Sequence, residues 1–197
     1  SGAIESVRVA DGDLVIETIN GHPAIGLCGT GLIDAVACLL NQGLLDDTGR
    51  MLSPDDVPSA PAALRARLVS DDGAPRFVIA RASGGASRDV FLTQRDVREL
   101  QLAKAAIAAG IHILLAEFGA RLEDLDQVLL AGAFGNYIRR ESALRIGLLP
   151  VIPLAKITQI GNAAGTGAKL VALDSGLLAE ARALALRTRY VELAGRP

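Results

Sequence analysis

Three glycine-rich turns contain residue types and spacings that can serve a ligand. They read GLCGTG at residues 26–31, LLAGAFGN at residues 129–136 and GNAAGTGA at residues 161–168. Because glycine has no side chain, the backbone N–H groups of such turns can approach an anion or a planar group closely. Each turn also has a purely structural explanation. This is tight packing between a strand and a helix for the first two, and a close helix crossing or a hinge for the third.

The second turn leaves both explanations open. The apolar run at residues 127–131 predicts a strand that leads into Gly132, and Gly135 and Asn136 are expected to begin the next helix. A large side chain at Gly132 would block the approach of a planar group to the backbone. From the residues alone, a packing turn and a ligand-binding loop are equally supported.

The common catalytic arrangements do not occur in this sequence. The first turn departs from the G-x-G-x-x-G spacing of dinucleotide-binding proteins, and there is no Walker-type phosphate loop with its lysine. His22 and His112 have no serine or cysteine nucleophile at a recognisable spacing. The paired aspartates fall in predicted surface turns. We therefore predict neither a catalytic residue nor a metal ligand in this chain.

Cys28 and Cys38 are the two cysteines of the sequence, and they lie ten residues apart. Without neighbouring histidines they suit neither a zinc site nor a disulfide framework, and an iron–sulfur cluster held by cysteines needs four thiolates. We predict two buried, reduced thiols in a cytoplasmic protein.

The composition limits the classes of partner. Half of the 197 residues are hydrophobic and only 3% are aromatic, so the core must be built from Leu, Ile, Val and Ala. The formal net charge of −2 predicts no general attraction to nucleic acid or to an anionic membrane. The first residues are polar, and no uncharged apolar run reaches the roughly 18 residues of a membrane span. Neither a signal peptide nor a transmembrane helix is predicted.

The apolar pattern predicts alternating strands and helices, and hence an α/β fold with a mixed sheet. Strands are expected at residues 4–9, 14–19, 77–80, 90–92, 127–131, 157–160 and 189–193. Helices are expected near residues 32–40, 93–119, 137–146, 162–176 and 177–187. Thr93 and Asp96 form a capping-box pair at the start of the longest helix, whose apolar second half is expected to be buried. Residues 53–75 are expected to form a surface insertion because they are rich in Pro, Asp, Ala and Ser.

Five sequence blocks together resemble one family. They are GAIE (2–5), GLCGTGLIDAVACLLNQGLLD (26–46), TQRDVRELQLAKAAIAAGI (93–111), VLLAGAFGNYIRRESALRIGLLP (128–150) and IGNAAGTGAK (160–169). They are similar to the C-terminal ATPase domain of the reductive activators of corrinoid proteins. That domain belongs to the actin/Hsp70/sugar-kinase superfamily, also called ASKHA. The resemblance covers nearly the whole chain and is weakest at residues 53–75.

The resemblance implies a ribonuclease H-like, actin-like ATPase lobe with a mixed sheet and flanking helices. Residues 1–197 would be most of the second lobe, and the upstream lobe with its two phosphate loops would be absent from this chain. The family also carries a 2Fe-2S cluster, which would belong to an absent N-terminal domain. In such proteins ATP, with Mg²⁺, drives an electron from that cluster to inactive cob(II)amide and restores cob(I)amide. The full-length protein would hydrolyse ATP, whereas the isolated chain would be inactive and would bind ATP weakly or not at all.

The resemblance also assigns roles to residues of the three turns. Gly132, Ala133 and Phe134 would face the adenosine, with Gly135 and Asn136 beginning the next helix. The remaining residues expected at the nucleotide are Gln101 and Lys104 on the long helix, Gly29, Thr30 and Gly31 in the same cleft, and Gly161 and Asn162 at the start of a flexible interlobe helix.

Two other interpretations stay open at this point. One is a small-molecule kinase of the same superfamily, although no aspartate stands in a glycine-rich turn as the base for a substrate hydroxyl. The other is a non-enzymatic module that docks on a corrinoid protein or forms a homodimer, because a missing lobe would leave apolar surface exposed. A corrinoid protein of a methyltransferase system is the expected partner.

Overall fold

The computed structural model of the chain describes residues 1–193, without the side chains of Asp71 and Ala133, and does not describe residues 194–197. The chain forms two compact units. Unit 1 comprises Ser1–Ala108 and Ile138–Val151, and unit 2 comprises Ala109–Tyr137 and the chain from Ile152 onward. The length of the chain allowed one α/β domain or two small lobes, and the resemblance implied one lobe; the apolar pattern did not indicate this division.

Unit 1 contains two three-stranded sheets and the helices that cover them. The first sheet has the order β2-β1-β3 and is mixed, since β2 is antiparallel and β3 parallel to β1. The second is antiparallel with the order β4-β5-β6. The strands are β1 (Ala3–Ala10), β2 (Asp13–Thr18), β3 (Gly26–Leu27), β4 (Leu68–Asp71), β5 (Ala74–Ala80) and β6 (Val90–Thr93). The helices are α1 (Gly29–Asn41), α2 (Ala62–Arg65), the first part of α3 (Gln94–Phe118) and α5 (Arg140–Arg145).

Unit 2 contains a two-stranded parallel sheet with helices. Its strands are β7 (Val128–Ala131) and β8 (Ile157–Gly161). Its helices are the last part of α3, α4 (Gly132–Tyr137), α6 (Ala163–Leu173) and α7 (Ser175–Arg187). The α/β class and the mixed sheet expected from the sequence are confirmed.

Helix α1 lies along the edge of β1 that the two-residue strand β3 leaves uncovered. Backbone N–H and C=O groups of a strand need partners, and here side chains spaced four residues apart on α1 supply them. The Thr30 hydroxyl donates to the Glu5 carbonyl (2.9 Å), and the Cys38 thiol donates to the Val7 carbonyl (3.4 Å). The Val7 N–H donates to the Asp34 carboxylate (3.3 Å). The polar face of α1 thus takes the place of a neighbouring strand.

The capping box predicted at the start of α3 is confirmed. The Thr93 N–H donates to Asp96 Oδ2 (2.8 Å) and the Asp96 N–H donates to the Thr93 hydroxyl (3.2 Å). These two bonds satisfy donors that the first helical turn leaves without partners.

The burial predicted for the second half of α3 is wrong. Leu114 is 52% and Phe118 is 87% exposed, and only 11% of the most apolar window of the helix is buried. An apolar helix is buried only where other residues pack against it. Few described residues pack against the second half of α3. By length and hydropathy alone α3 could cross a membrane, but core helices of soluble proteins meet the same criterion.

Two further segments differ from the sequence-based expectations. Residues 53–75 belong to unit 1, and most of them are exposed. Val57, Leu64 and Leu68 are buried and β4 pairs with β5, so a few apolar side chains of this Pro- and Ala-rich segment reach the core. Residues 189–193 were expected to form a strand and do not. The helix expected to begin near residue 137 is preceded by the short helix α4 at residues 132–137.

Arg67 joins the two sheets of unit 1. Its guanidinium contacts both carboxylate oxygens of Asp13 at the start of β2 (2.6 and 2.9 Å) and donates to the carbonyls of Val78 and Ile79 in β5 (both 3.2 Å). The hydrogen bond from Arg67 lowers the pKa of Asp13 below its ordinary value. The ionised form of Asp13 is therefore the one that the folded chain favours.

Replacing Asp13 with Asn is expected to lower the free energy of unfolding at neutral pH by up to about 1 kcal/mol, as for other partly exposed ion pairs. Because folding lowers the pKa of Asp13, the native chain keeps this contribution above the unfolded pKa of about 4 and loses it as the pH falls through the folded value. Urea unfolding followed by circular dichroism, from pH 7 down to about pH 3, measures the difference. Asp11→Asn, which changes an exposed carboxylate of the same turn, is the control. A difference independent of pH would contradict the assignment.

Candidate functional site

The two strands of unit 2 end at the same edge of their sheet. Because β7 and β8 are parallel, their carboxyl ends meet, and Ala131 pairs with Gly161 at that edge. Each strand then passes directly into a glycine turn and a helix, α4 after β7 and α6 after β8. In open α/β sheets this edge is where ligands bind.

The turn after β7 is strained for any residue with a side chain and is open to its surroundings. Gly132 has a φ of +85°, and a Cβ atom built on it would meet no atom of the described residues within 4 Å, its two chain neighbours aside. The glycine is therefore required by the backbone conformation and not by packing. Open space over a backbone turn is what the approach of a planar group needs.

The turn after β8 lies next to helix α4. Gly161 has a φ of +64°, and a Cβ atom built on it would lie 3.9 Å from Asn136 Oδ1. The Gln159 side chain of β8 donates to the carbonyls of Gly135 (3.1 Å) and Asn136 (3.0 Å). These contacts bring residues 132–136 and 161–162 together at one edge. The sequence analysis did not identify Gln159. The signal that could have found it is a polar residue in an apolar strand, two positions before Gly161, which ends that strand.

The other glycines of these two turns serve packing or capping. A Cβ atom on Gly135 would lie 3.1 Å from the Leu130 carbonyl carbon, so α4 lies close against β7. Asn162 caps α6 by accepting the Gly165 N–H (2.9 Å), and its side chain covers Gly165. A Cβ atom on Gly167 would meet nothing within 4 Å among the described residues. A close helix crossing was one explanation of this small-residue helix. No described residue of unit 2 packs closely against α6 at Gly167.

The edge formed by the two turns carries no charge of its own. No Asp, Glu, Lys or Arg occurs in residues 129–137 or 157–168. Phe134 is half exposed. Such a surface offers backbone groups, amides and an aromatic ring, which suit a neutral planar group such as a nucleobase. It contains no cationic side chain that could neutralise a triphosphate.

The predicted ligand residues Thr30 and Gly31 are engaged in packing within unit 1. The Thr30 hydroxyl is used by the Glu5 carbonyl, and a Cβ atom on Gly31 would lie 2.1 Å from the Ile4 carbonyl oxygen. The close approach of α1 to β1 explains both residues. Gly29 lines a separate cavity of about 530 Å³ beside Cys28 and Thr93.

The predicted ligand residues Gln101 and Lys104 lie together on the polar face of α3 in unit 1. The Gln101 amide donates to the Thr48 carbonyl (2.8 Å) and accepts from Arg98 (2.8 Å), so it holds the loop that follows α1. Both residues line a small cavity of about 50 Å³ with Gly49. Among the described residues, Lys104 has no hydrogen-bond or ion-pair partner, so its ammonium group is available to a ligand.

The whole chain, residues 1–197, matches the family described as the C-terminal domain of RACo, the ASKHA domain. The chain is 36% identical over 199 residues to the corrinoid activation enzyme RamQ of Eubacterium limosum, covering 100% of this chain and 33% of that protein. It is 30% identical over 158 residues to the reductase of the Co(II) methylated amine-specific corrinoid protein of Methanosarcina barkeri, covering 80% of this chain and 24% of that protein.

A solved structure of a reductive activator for corrinoid, iron–sulfur protein is similar in fold as well as in sequence. It superposes with a TM-score of 0.84 and 33% identity, covering 99% of this chain and 30% of that chain. The chain therefore spans about a third or less of the length of the relatives it matches.

Gly132→Ala and Gly167→Ala are expected to change stability in opposite directions. The first forces an L-residue into the left-handed region at a cost of about 1–2 kcal/mol, whereas the second adds a methyl group in open space within α6 and favours the helix by up to about 1 kcal/mol. Differential scanning calorimetry of the two variants measures the shifts in melting temperature. Loss of stability in both variants would contradict the open surroundings of Gly167.

Proposed function

This chain belongs to the family of C-terminal ASKHA domains of RACo, and we propose that it is the nucleotide-binding part of an ATP-dependent reductive activator. The activator returns inactive cob(II)amide to cob(I)amide in a corrinoid protein of a methyltransferase system. Three relatives support this proposal, since each is named for activating or reducing a corrinoid protein.

The observation that carries the proposal is the uncharged edge of β7 and β8. Two parallel strands end there in left-handed glycines, and the turn at Gly132 is open. We assign the adenosine of ATP to residues 132–136 with Gly161 and Asn162. The Gly132 turn takes the face of the base, Phe134 borders it, and the Asn136 amide offers a donor and an acceptor to the ribose or the base.

The triphosphate and its Mg²⁺ need cationic groups and carboxylates that this edge does not contain. We therefore propose that they are held by residues outside this edge. The roles that the resemblance implies for Gln101, Lys104 and Gly29–Gly31, all of which lie in unit 1, stay predictions. Among them Lys104 has an ammonium group without a partner among the described residues. Bound ATP can change the conformation only by its different affinity for two states of the protein.

A 2Fe-2S cluster does not fit the residues of this chain. The Cys28 thiol lies 3.1 Å from the Thr30 hydroxyl, the Cys38 thiol donates to the Val7 carbonyl, and two thiolates are fewer than the four that such a cluster uses. We place the cluster, as the electron donor to the corrinoid, in another domain of a longer protein. The two free thiols are in keeping with a cytoplasmic location.

Gly132→Asn tests the adenosine assignment. Asparagine tolerates a positive φ, so the turn keeps its shape while a side chain fills the space above it. We expect the Kd of the full-length protein for Mg·ATP, measured by calorimetry, to rise at least about tenfold, which corresponds to about 1.4 kcal/mol.

Gly85→Asn is the matched control for this experiment. Gly85 also has a positive φ (+94°), and no described residue other than its chain neighbours places an atom within 4 Å of a built Cβ, but it lies between β5 and β6. Its variant is expected to bind ATP as the unmodified protein does. An unchanged Kd in Gly132→Asn would refute the assignment. Saturable thermal stabilisation of the isolated chain by Mg·ATP would contradict the expectation that this chain alone binds ATP weakly or not at all.

A docking role is the second proposal, favoured by the apolar side chains that unit 2 exposes. Phe118 and Leu173 are each 87% exposed and Leu186 is 89% exposed. Contiguous exposed apolar patches mark interaction surfaces, and we propose that these side chains form such a patch and that the isolated chain forms a homodimer through it.

Leu173→Gln together with Leu186→Gln is expected to convert the isolated chain from dimer to monomer in gel filtration with light scattering. Val151→Gln, at a position 93% exposed in unit 1, is the control and should leave the dimer intact. A monomer before any substitution would exclude the homodimer.

A further inference from the structure

Residues 138–151 are held in unit 1 by non-covalent contacts alone. Their flanking residues, Tyr137 and Ile152, both belong to unit 2. The segment contains one helix, α5, whose six residues make less than two turns. Apolar contact has no preferred direction, so apolar side chains by themselves fix the position of so short a helix poorly. The buried apolar residues of the segment are Ile138, Ala143, Ile146, Leu148 and Leu149.

One buried polar contact joins this segment to the rest of unit 1. Asp34 of α1 is only 2% exposed, and its Oδ1 accepts from the buried Ser142 hydroxyl of α5 (2.6 Å). Its Oδ2 accepts from the Val7 N–H of β1 (3.3 Å). A single carboxylate therefore connects α5 to α1 and α1 to β1.

The buried charge of Asp34 makes this contact costly. Burial raises the pKa of Asp34. The thiol of Cys38, one turn further along α1, has its own pKa raised by burial and by the Asp34 charge. Apolar residues of the same size would hold two helices together at least as well, so stability does not explain the carboxylate. Four further groups act on it, the first three lowering its pKa and the last raising it: Ser142, Val7, Arg139 and Glu141.

The residues around Ser142 indicate what the carboxylate excludes. The residues four positions before and after it, about one helical turn away, are Ile138 and Ile146, and both are buried. If the segment slipped by one turn along α1, an isoleucine would face Asp34, and Oδ1 would lose its donor. A buried carboxylate that loses a partner costs more than an apolar contact that is exchanged for another. The observed position is the one that satisfies Asp34.

We propose that Asp34 fixes a single docking position of residues 138–151 on α1, and that it does so at a cost in stability. Arg145 also joins the two helices, through the Asn41 side chain (2.6 Å) and the Leu40 carbonyl (3.0 Å). Because Arg145 and Asn41 are exposed, this contact is weak and does not penalise a slip in the same way. The device lies within unit 1 and does not depend on the nucleotide assignment.

Ser142→Ala in the full chain tests the docking position. It removes a donor to Asp34 and leaves the bond between α1 and β1 in place. We expect the methyl NMR signals of Ile146 and Leu149 to split into two sets, the second with at least about 10% of the intensity, while those of Ile33 in α1 stay single. One sharp set for every methyl group would overturn the inference.

Arg145→Met is the matched control, because it removes the exposed polar contact between the same two helices. Its methyl signals are expected to stay in one set, and splitting like that of Ser142→Ala would also overturn the inference. Asp34→Asn combined with Ser142→Ala removes the buried bond without leaving a buried charge. It should split the signals as well, and it decides the question if Ser142→Ala alone does not fold.

Asp34→Asn separates the hydrogen bonds from the charge. An amide can accept from the Val7 N–H and donate to the Ser142 hydroxyl oxygen, so one set of signals is expected. Removal of the charge should raise the melting temperature at pH 7 by at least about 2 °C. Because folding raises the pKa of Asp34 above its unfolded value of about 4, this difference should disappear as the pH falls through the folded value. Split signals, or a melting temperature at pH 7 no higher than that of the unmodified chain, would contradict the inference.

Discussion

The fold of unit 1 depends on how the exposed backbone edge of β1 is satisfied. Strand β3 is only two residues long, so the edge of β1 beyond Ile4 has no strand beside it. Polar side chains of α1, spaced by about one helical turn, bond to that edge instead. This arrangement forces α1 very close to β1, and the contact of Gly31 with the Ile4 carbonyl follows from it. It also places a carboxylate, Asp34, where α5 can dock on it.

The same rule, that backbone groups must be paired, arranges the candidate site in unit 2. Parallel pairing of β7 and β8 brings two strand ends, two glycine turns and the starts of two helices to one edge. The Gln159 side chain donates to the carbonyls of Gly135 and Asn136 in α4, so the turn at Gly132 is held by the neighbouring strand rather than by its own side chains. A turn that is fixed by hydrogen bonds from a neighbouring strand, and that has open space beside its glycine, can leave its backbone groups free for a ligand.

Local signals in the sequence were sufficient for most elements and for the two turns of the site. The hairpin of β1 and β2, the capping box of α3 and the strand before Gly132 each follow from neighbouring residues. The helical conformation of residues 132–137 could not be predicted, because Gly-Ala-Phe-Gly-Asn has low intrinsic helix propensity and is held by Gln159 of a distant strand. The prediction that the second half of α3 is buried failed for a related reason, because burial depends on residues outside the helix. Pairwise contacts such as Asp34 with Ser142, 108 residues apart, leave no periodic signal.

The absence of charge at the β7–β8 edge bears on how ATP can do work in such a protein. An edge that contacts only the neutral end of the nucleotide binds ATP and ADP about equally, so by itself it cannot favour one conformation over another. Under the proposed assignment, discrimination must come from groups that meet the phosphates, while the edge holds the base. A base fixed firmly in this unit would turn movement at the phosphates into movement of the protein, whereas a loosely held base would let the nucleotide shift instead. The hydrogen bonds from Gln159 to the carbonyls of Gly135 and Asn136 would then serve energy coupling as well as affinity.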